Sequence, residues 1–384
     1  MPTPARLDES WLLGSLRVPN RVLLAPLAGI GNWFVRLQAK RFGAGLAVSE
    51  MVSSHAIHHG NPKTCTEMLR IDPREHRPDP PAPGGVGGPV SIQLFGEDPA
   101  VMRSAAAHVV VAGADAIDIN MGCPVPKVRK TGAGAALLDD PDLAVEVARA
   151  AVQGAQEGRE RVAAPTGHPR AGAPVPAAEQ PRSDAPVPVT VKLRSGVRPG
   201  EESGFTLAHR LVEDAGVAAI GFHPRSAAVH HKGAPDYRLA ARLVRSLPAP
   251  VILTGGMDDA HSAREAFAAT GAAAVMLARG ALGNPWLFAE LVHGRQLSPS
   301  RQEVLAELHW TIDRAVEHLG EERATRYLRK FYPWYVPRLA LEPAAARGLQ
   351  ESLQAAPTLT RARELLAGVR EAPERVARAP APQV

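Results

Sequence analysis

One cysteine in a polar loop is the residue of this sequence that most suggests chemistry. Cys123 follows an apolar run, residues 116–119, that predicts a short buried strand, and Gly122 and Pro124 end that strand. Folds that alternate strands and helices place their chemistry on loops just past the strand ends. A small buried thiol that only fills space is the alternative. The basic residues that follow, beginning with Lys127, favour a working thiol.

Two polar side chains interrupt other predicted strands. Gln93 lies on the predicted strand 90–95, and Lys192 lies near the end of the predicted strand 188–193. An unpaired amide or amine is costly inside an apolar core, so both side chains should have partners or ligands. Lys192 could form a Schiff base, as in barrel aldolases, or donate a hydrogen bond to a ring or a phosphate.

The histidines that follow a later strand raise the question of a metal. His223 and Arg225 come at the end of the predicted strand 218–223, and His230 and His231 lie beside them. No group of histidines or acidic residues has the spacing of metal ligands. We therefore expect no metal.

The loops after the last two predicted strands both contain glycine. They are Thr254-Gly255-Gly256 and Ala278-Arg279-Gly280. Glycine lets backbone amides approach an anion, and Arg279 can pair with that anion through two hydrogen bonds. In a closed barrel, these are the loops that often bind a phosphate, so the sequence predicts a phosphorylated ligand.

The pattern of the elements predicts an α/β fold, a (β/α)8 TIM barrel with a C-terminal all-helical domain. Alternating strands and helices favour a closed parallel barrel, and an open doubly wound sheet fits less well because no Gly-x-Gly-x-x-Gly follows the first strand. A small hairpin is expected before the barrel. The predicted barrel strands are residues 22–25, 46–50, 90–95, 116–119, 188–193, 218–223, 250–254 and 273–278.

Composition divides the chain into domains. Residues 1–297 are expected to form the barrel, and a Pro- and Ala-rich insertion at about 155–186 is expected to be disordered after a helix that ends near Gly154. Residues 298–376 show helical spacing of apolar side chains and predict a second domain. Residues 377–384 are expected to be a disordered tail.

Composition also bounds the class of protein. The chain has 384 residues, of which 45% are hydrophobic, so a large core is possible. A net charge of +5 permits a polyanionic partner but does not require one. Two cysteines do not suggest a disulfide framework, and no apolar run is long enough to span a membrane. We expect a cytoplasmic monomer.

Taken together, these residues resemble the tRNA-dihydrouridine synthase family, and most of all its bacterial, FMN-dependent branch. The resemblance covers most of residues 15–290, and its most specific part is the run from Asp118 to Val128, which includes Asp-Ile-Asn-Met-Gly-Cys-Pro. The other matching stretches are Ala25 to Gly29, Ser49 to Met51, Ile92 to Leu94, Lys192 to Gly196, His223 to Arg225, Gly255-Gly256 and Arg279-Gly280.

The resemblance implies a barrel that binds FMN and reduces uridine in tRNA to 5,6-dihydrouridine, with NADPH or NADH as the reductant. Cys123 would give a proton to C5 of uracil while the reduced flavin delivers hydride to C6. The chain departs from the family's usual Asn-Gly-Asp after the seventh strand. The implied flavin contacts are Pro26, Leu27, Ala28, Gln93, Lys192, His223, Thr254, Gly255, Gly256, Ala278 and Arg279.

We expect the RNA to contact both domains. Asn120 would touch the target uracil, and a basic cluster in the helical domain precedes the aromatic run 331–335. Positive charge beside aromatics suits RNA, but a solvated helix face followed by core aromatics fits equally. The predicted substrate contacts are Asn120, Lys127, Arg225, Arg326, Arg329 and Lys330.

Two other functions remain open at this point. One is an FMN barrel that acts on a small molecule, such as a dihydroorotate or ene-type reductase. The other is an RNA-binding relative that has lost catalysis. The basic cluster near Arg326 favours RNA over a small substrate, and the presence of Cys123, Lys192 and Arg279 argues against an inactive relative.

Overall fold

A computed structural model describes residues 5–76, 87–163 and 185–370 of the chain. The tail predicted at 377–384 lies outside these residues, as does most of the predicted insertion. The described chain forms two compact units. The first comprises Met1–Ala281 and Leu287–Arg295, and the second comprises Leu282–Trp286 and Gln296–Val384.

The N-terminal residues form the predicted hairpin. Strand β1 (Trp11–Leu13) pairs antiparallel with strand β2 (Leu16–Val18). The indole N–H of Trp11 donates to the carbonyl of Asn20 at 3.0 Å, which ties the hairpin to the chain segment that enters the next strand.

Eight parallel strands then close into a barrel, which confirms the predicted fold class. Each strand pairs with its successor, and the last pairs with the first, so the barrel has no free edge. The barrel strands are β3 (Val22–Leu24), β4 (Leu46–Ser53), β5 (Val90–Phe95), β6 (Ala116–Met121), β7 (Val189–Arg194), β8 (Ala219–His223), β9 (Val251–Thr254) and β10 (Ala274–Leu277).

Apolar side chains fill the N-terminal half of the barrel interior, and the hairpin covers that end. Trp11, Leu13 and Val18 of the hairpin belong to the same buried cluster as the inward-facing side chains of the barrel. The barrel members of the cluster are Leu23, Ala25, Leu46, Val48, Ala116, Ala219, Ile252, Ala274 and Met276. The opposite end, where the strands finish, is therefore the end available for a site.

Helices surround the barrel between its strands. Asn32 caps the first of them by accepting a hydrogen bond from the N–H of Val35. None of the described helices is long and apolar enough to cross a membrane. The helices of this part are α1 (Trp33–Arg41), α2 (Ser54–His58), α3 (Pro99–Val111), α4 (Pro126–Arg129), α5 (Pro141–Ala163), α6 (Ser203–Glu213), α7 (Tyr237–Ser246), α8 (Ala260–Thr270) and α9 (Trp286–His293).

The C-terminal residues are helical, as predicted, and begin with a capping box of Ser300 and Glu303. The sequence predicts one helix over 343–369, but the structure has two helices there. The chain breaks at Ala356 because the following Pro357 disfavours helical backbone before it. The helices are α10 (Arg301–Leu319), α11 (Glu321–Leu328), α12 (Tyr332–Tyr335), α13 (Pro343–Ala355) and α14 (Leu359–Arg370).

The predicted start of the disordered insertion is also wrong, because α5 continues nine residues past Gly154, to Ala163. Ala155 and Gly158 in this extension are buried, and Arg103 of α3 forms an ion pair with Glu157. Small residues let α5 approach α3 closely, so this stretch packs although Val162 is its only branched apolar residue. Residues 164–184 lie outside the described part of the chain.

Gly158 offers a test of this close approach. A Cβ at Gly158 would lie 2.6 Å from the carbonyl oxygen of Ala107. We expect Gly158→Ala to lower the free energy of unfolding by about 1 to 3 kcal/mol, the usual cost of overpacking. Gly348→Ala is the matched control, since a Cβ there meets nothing within 4 Å, and it should raise stability by up to about 1 kcal/mol. Calorimetry showing the same sign for both changes would contradict the packing argument.

Candidate active site

Polar side chains line the barrel interior at the C-terminal ends of the strands. Side chains alternate across a strand, so Asp118 and Asn120 face the same way as Ala116 of the apolar cluster. The barrel register brings residues from neighbouring strands beside them. The other polar residues of this layer are Gln93, Thr190, Lys192, Arg194, His223 and Thr254.

The Cys123 loop is held by hydrogen bonds on both sides of the cysteine. The N–H of Cys123 donates to Oδ1 of Asn120 at 2.9 Å, and its carbonyl accepts from the N–H of Ala135 at 3.0 Å. Gly134 has a φ of 65°, and a Cβ there would come within 2.9 Å of the Cys123 carbonyl. Cys123 is a free cysteine and is partly exposed, so its backbone is fixed while the residue remains accessible.

A chain of side-chain amides lies beneath this loop. Nε2 of Gln93 donates to Asp118 at 2.6 Å, and Nδ2 of Asn120 donates to Oε1 of Gln93 at 2.9 Å. Asp118 also accepts from the hydroxyl of Thr190 at 2.6 Å. Burial raises the pKa of Asp118 to about 6, although the bonds from Thr190 and Gln93 oppose that shift. The predicted site residues Gln93, Asn120 and Cys123 are therefore physically connected.

Lys192 lies beside Asn120 in the register of β6 and β7 and passes over Gly221 of β8. Its side chain is largely buried, and burial lowers its pKa to about 8, with Arg194 acting in the same direction. Among the described residues, no hydrogen-bond acceptor reaches its amine. An amine held in this way is suited to bind a ligand group that enters the barrel mouth.

Arg194 is a site residue that the sequence analysis missed. Its Nε donates to the carbonyl of Gly122 at 2.9 Å, and its Nη1 donates to the carbonyls of Ser226 and His230 at 3.1 and 2.7 Å. It therefore connects the Cys123 loop to the loop after β8. The available signal was a charged residue two positions after Lys192, on the same face of a buried strand.

His223 and Arg225 form a pair at the end of β8. Nη1 of Arg225 donates to Nε2 of His223 at 3.1 Å, and burial and the nearby Lys192 strongly lower the pKa of His223, so the imidazole is neutral. Nε and Nη2 of Arg225 donate to the carbonyl of Gly233 at 3.0 and 2.8 Å. The guanidinium is thus held by protein groups, and a substrate contact for Arg225 stays a prediction.

The two glycine-containing loops lie side by side because β9 pairs with β10 through Thr254 and Met276. Gly255 and Gly256 have φ values of 98° and 78°, which side chains rarely adopt. A Cβ on Gly255 would also lie 2.5 Å from Nε2 of His223. This loop is therefore restricted to glycine both by its backbone and by the histidine that it contacts.

Positive charge accumulates next to these loops. Arg279 is exposed and has no ion pair among the described residues. Burial and then Arg279 lower the pKa of His231 to about 4, and Arg279 also contributes to the lowered pKa of Arg225. An anion bound here would relieve that repulsion, which fits the predicted phosphate.

The loop after β3 is the fourth part of the site. It contains the partly buried Pro26, the buried Leu27 and the exposed Ala28. The N–H of Gly29 donates to Glu50 at 2.9 Å, which links this loop to β4. These three residues lie at the same barrel end as Cys123, as predicted, and their contact with a flavin stays a prediction.

The remaining predicted substrate contacts are solvent-exposed. Lys127 is exposed on α4, directly after the Cys123 loop. In the second unit, Arg326 forms an ion pair with Glu322, and Arg329 and Lys330 are exposed. Their contact with RNA stays a prediction.

The aromatic run in the second unit belongs mainly to its core. Phe331, Tyr332 and Tyr335 are at most 3% exposed, and the Tyr335 hydroxyl shares a hydrogen bond with Thr311 at 3.1 Å. Of the aromatic residues in this run, only Trp334 is partly exposed. Base stacking on the three buried rings is therefore wrong as an interpretation, and the core alternative holds for them. Within the described ranges, no group of three or more His, Cys, Asp or Glu residues is placed to hold a metal ion.

Known proteins match this chain over most of its length. The family model described as Dihydrouridine synthase (Dus) matches residues 23–159 and 177–371. A tRNA-dihydrouridine synthase B from Xanthomonas axonopodis pv. citri is 33% identical over 334 residues, which is 84% of this chain and 86% of that protein. A tRNA-dihydrouridine synthase B from Pseudomonas aeruginosa is 32% identical over 339 residues, 85% of this chain and 87% of that protein.

Solved structures show the same fold at low identity. A complex of 2-naphthoyl-CoA reductase with 2-naphthoyl-CoA superposes with a TM-score of 0.50 at 13% identity, and the match covers 76% of this chain and 53% of that one. This likeness shows a shared fold alone.

Two buried lysines allow a matched test of the site. Lys40 has a pKa lowered to about 8 by burial, like Lys192, but its amine donates to the carbonyls of Glu75 and Gly88. Lys40→Met should lower the melting temperature because two buried carbonyls lose their donor. Lys192→Met should raise it in the ligand-free protein, because burial disfavours the charged amine of Lys192 and an apolar side chain of similar length carries no such cost.

The pH dependence of this effect has a definite sign. The Lys192 amine loses its proton near pH 8 when folded and near 10.5 when unfolded, so its burial penalty is full below about 8. The stability advantage of Lys192→Met should therefore shrink as the pH rises from about 8 towards 10.5. Thermal unfolding of both proteins across that range would show it, and a constant difference would contradict the assignment.

Proposed function

The chain belongs to the dihydrouridine synthase family, and we propose that it uses bound FMN to reduce uridine in tRNA to 5,6-dihydrouridine. The carrying observation is the arrangement at the barrel mouth. Cys123, accessible and with its backbone fixed, lies in the same barrel end as the unpartnered amine of Lys192 and the cationic glycine loops. The names of the relatives, which describe tRNA-dihydrouridine synthases, support the substrate.

The residues present fit FMN. Gly255, Gly256 and Arg279 offer backbone amides and a free guanidinium for a phosphate, beside positive charge that lacks full compensation. Lys192 can donate to a ring acceptor, and the neutral His223 adds a second polar contact. FMN, once reduced by NADPH or NADH, supplies the hydride that C6 of uracil receives.

The chain's own part in the reaction is to position the base and supply a proton. Cys123 holds a proton for C5 of uracil, and an ordinary thiol still carries its proton at neutral pH. A base can reach the residues of the barrel mouth only after it has left the RNA stack. Exposed Lys127, directly after the loop, is placed to meet the phosphates that flank such a base.

Flavin content is the first test. Protein purified after incubation with FMN should be yellow, and with NADPH it should form dihydrouridine in unmodified tRNA, detected by mass spectrometry. Lys192→Met should weaken FMN binding by roughly 10- to 100-fold, the range for one charge-assisted hydrogen bond. Lys130→Met, at an exposed lysine, is the control. Colourless wild-type protein with no flavin released on denaturation would remove the cofactor from the proposal.

The proton donor is tested by comparing the two cysteines. Cys123→Ala should still bind FMN and tRNA and should still be reduced by NADPH, while uridine reduction slows by roughly two to four orders of magnitude. Cys65→Ala, at the other free and partly exposed cysteine, should change little. The rates come from single-turnover oxidation of pre-reduced flavin by unmodified tRNA. Equal rates for Cys123→Ala and wild type would assign the proton to another group.

A further inference from the structure

We propose that Asp118 is a positioning residue that fixes the Cys123 loop through the side chains of Gln93 and Asn120. The inference rests on the proposed function, since it concerns how the thiol is held for proton transfer. Three hydrogen bonds connect Asp118 to the backbone of Cys123, and Asp118 has no place among the predicted ligand contacts. Its effect is therefore transmitted through the amides between them.

The hydrogen bonds that run from Asp118 through Gln93 and Asn120 to Cys123 can be arranged in only one way. An ionised carboxylate only accepts, so the NH2 of Gln93 must face Asp118, at 2.6 Å. Oε1 of Gln93 must then face Asn120, whose Nδ2 donates to it at 2.9 Å. That leaves Oδ1 of Asn120 facing the loop, where it accepts from the N–H groups of Cys123 and Gly122 at 2.9 and 3.2 Å.

Both ends of the chain impose the same orientation. Asp118 at one end is an acceptor, and the backbone N–H groups at the other end are donors that cannot reverse. If either amide flipped, two like groups would face each other on each side of it. Gln93 and Asp118 are 1% and 2% exposed and Asn120 is 9% exposed, so water is poorly placed to repair such a mismatch.

The orientation of these side-chain amides determines one of the two backbone hydrogen bonds that hold Cys123, the one from its N–H to Asn120. The other anchor, the bond from the N–H of Ala135 to the Cys123 carbonyl, does not depend on it. Without a correctly turned Asn120, the loop would be held on one side only. A displacement of about 1 Å in a reacting group can cost roughly 100-fold in rate, so this anchor matters for proton transfer.

Burial raises the pKa of Asp118, and the polar groups around its carboxylate oppose that shift. Thr190 donates to its second oxygen at 2.6 Å, and Lys192 stabilises the negative form electrostatically. With a pKa of about 6, the carboxyl group is mainly ionised at neutral pH, which is the form that only accepts.

A double-mutant cycle separates positioning of the thiol from general structural damage. Asp118→Ala should slow uridine reduction by roughly 10- to 100-fold when Cys123 is present, in line with a displaced reacting group. In the Cys123→Ala background, the same change should have a clearly smaller effect, since there is no thiol to position and only the uracil contact of Asn120 is disturbed. Any effect of Asp118→Ala on reduction of the flavin by NADPH should be equal in both backgrounds, because that step does not involve the thiol. Thr190→Val is the matched control, because it removes the other 2.6 Å bond of Asp118 but leaves the chain to Cys123.

A second test exchanges donors and acceptors along the hydrogen bonds between Asp118, Gln93 and Asn120. It does not depend on how well Asp118→Ala folds. Asn120→Asp places an acceptor against Oε1 of Gln93, so it should lower the melting temperature and the rate. Adding Asp118→Asn allows Gln93 to turn over and every group to find a partner again. The double variant should therefore recover the melting temperature relative to Asn120→Asp alone, although each change alone is unfavourable or neutral.

The outcomes distinguish this inference from the proposed function. Equal losses for Asp118→Ala with and without Cys123, or an absence of recovery in the double variant, would overturn the positioning role while wild-type tRNA reduction stands. Wild-type protein that binds FMN but leaves tRNA unchanged would instead overturn the proposed function. Selective loss in the cycle together with recovery in the double variant supports the inference.

Discussion

Desolvation inside the closed barrel is the constraint on which the site depends. The same removal from water raises the pKa of Asp118 and lowers those of Lys192, Arg194 and His223. The closed sheet makes this possible, because it surrounds the strand ends with protein on every side. It also makes each hydrogen bond within the mouth stronger than it would be in water. Charged and amide groups there must be satisfied by one another or by a ligand, so their positions are closely coupled.

The two halves of the barrel interior differ in polarity. The half at the N-terminal ends of the strands is apolar and is covered by Trp11, Leu13 and Val18 of the hairpin. The well-packed apolar half stabilises the fold. The half at the C-terminal strand ends can therefore contain groups that lower the stability of the fold, such as Lys192. Buried charges would be hard to tolerate in a barrel that lacked this apolar layer.

The sequence predicts the strands well because each is a short apolar run, and β5 has the predicted bounds of 90–95. It fails where packing depends on residues distant in sequence. The α5 extension has too few branched apolar residues to predict a helix, yet Gly158 packs because α3 presents Ala107 to it. Composition alone cannot show such a partner.

For the site, too, the sequence predicts local features but not contacts between residues that are distant in sequence. The motif around Cys123 and the glycines after β9 and β10 identify where chemistry belongs, because loop chemistry is visible locally. The roles of Asp118 and Arg194 are not visible, since their partners come from other strands and loops. The aromatics near Tyr332 show the converse, because a pattern compatible with RNA binding is also the pattern of a helical core.

Because Cys123 lies on a hydrogen-bonded loop, it is accessible from solvent while its backbone is held in place. A thiol on a barrel strand would lie too deep to meet a base attached to RNA, whereas an unsupported loop would leave it poorly oriented. Here the backbone on either side of Cys123 is bonded, to Asn120 of a strand and to Ala135 of the following turn. Arg194 holds the preceding residue, Gly122, from a third direction. The loop therefore has the exposure of surface structure while its backbone is fixed by groups from the barrel, which is the condition that a positioned proton donor requires.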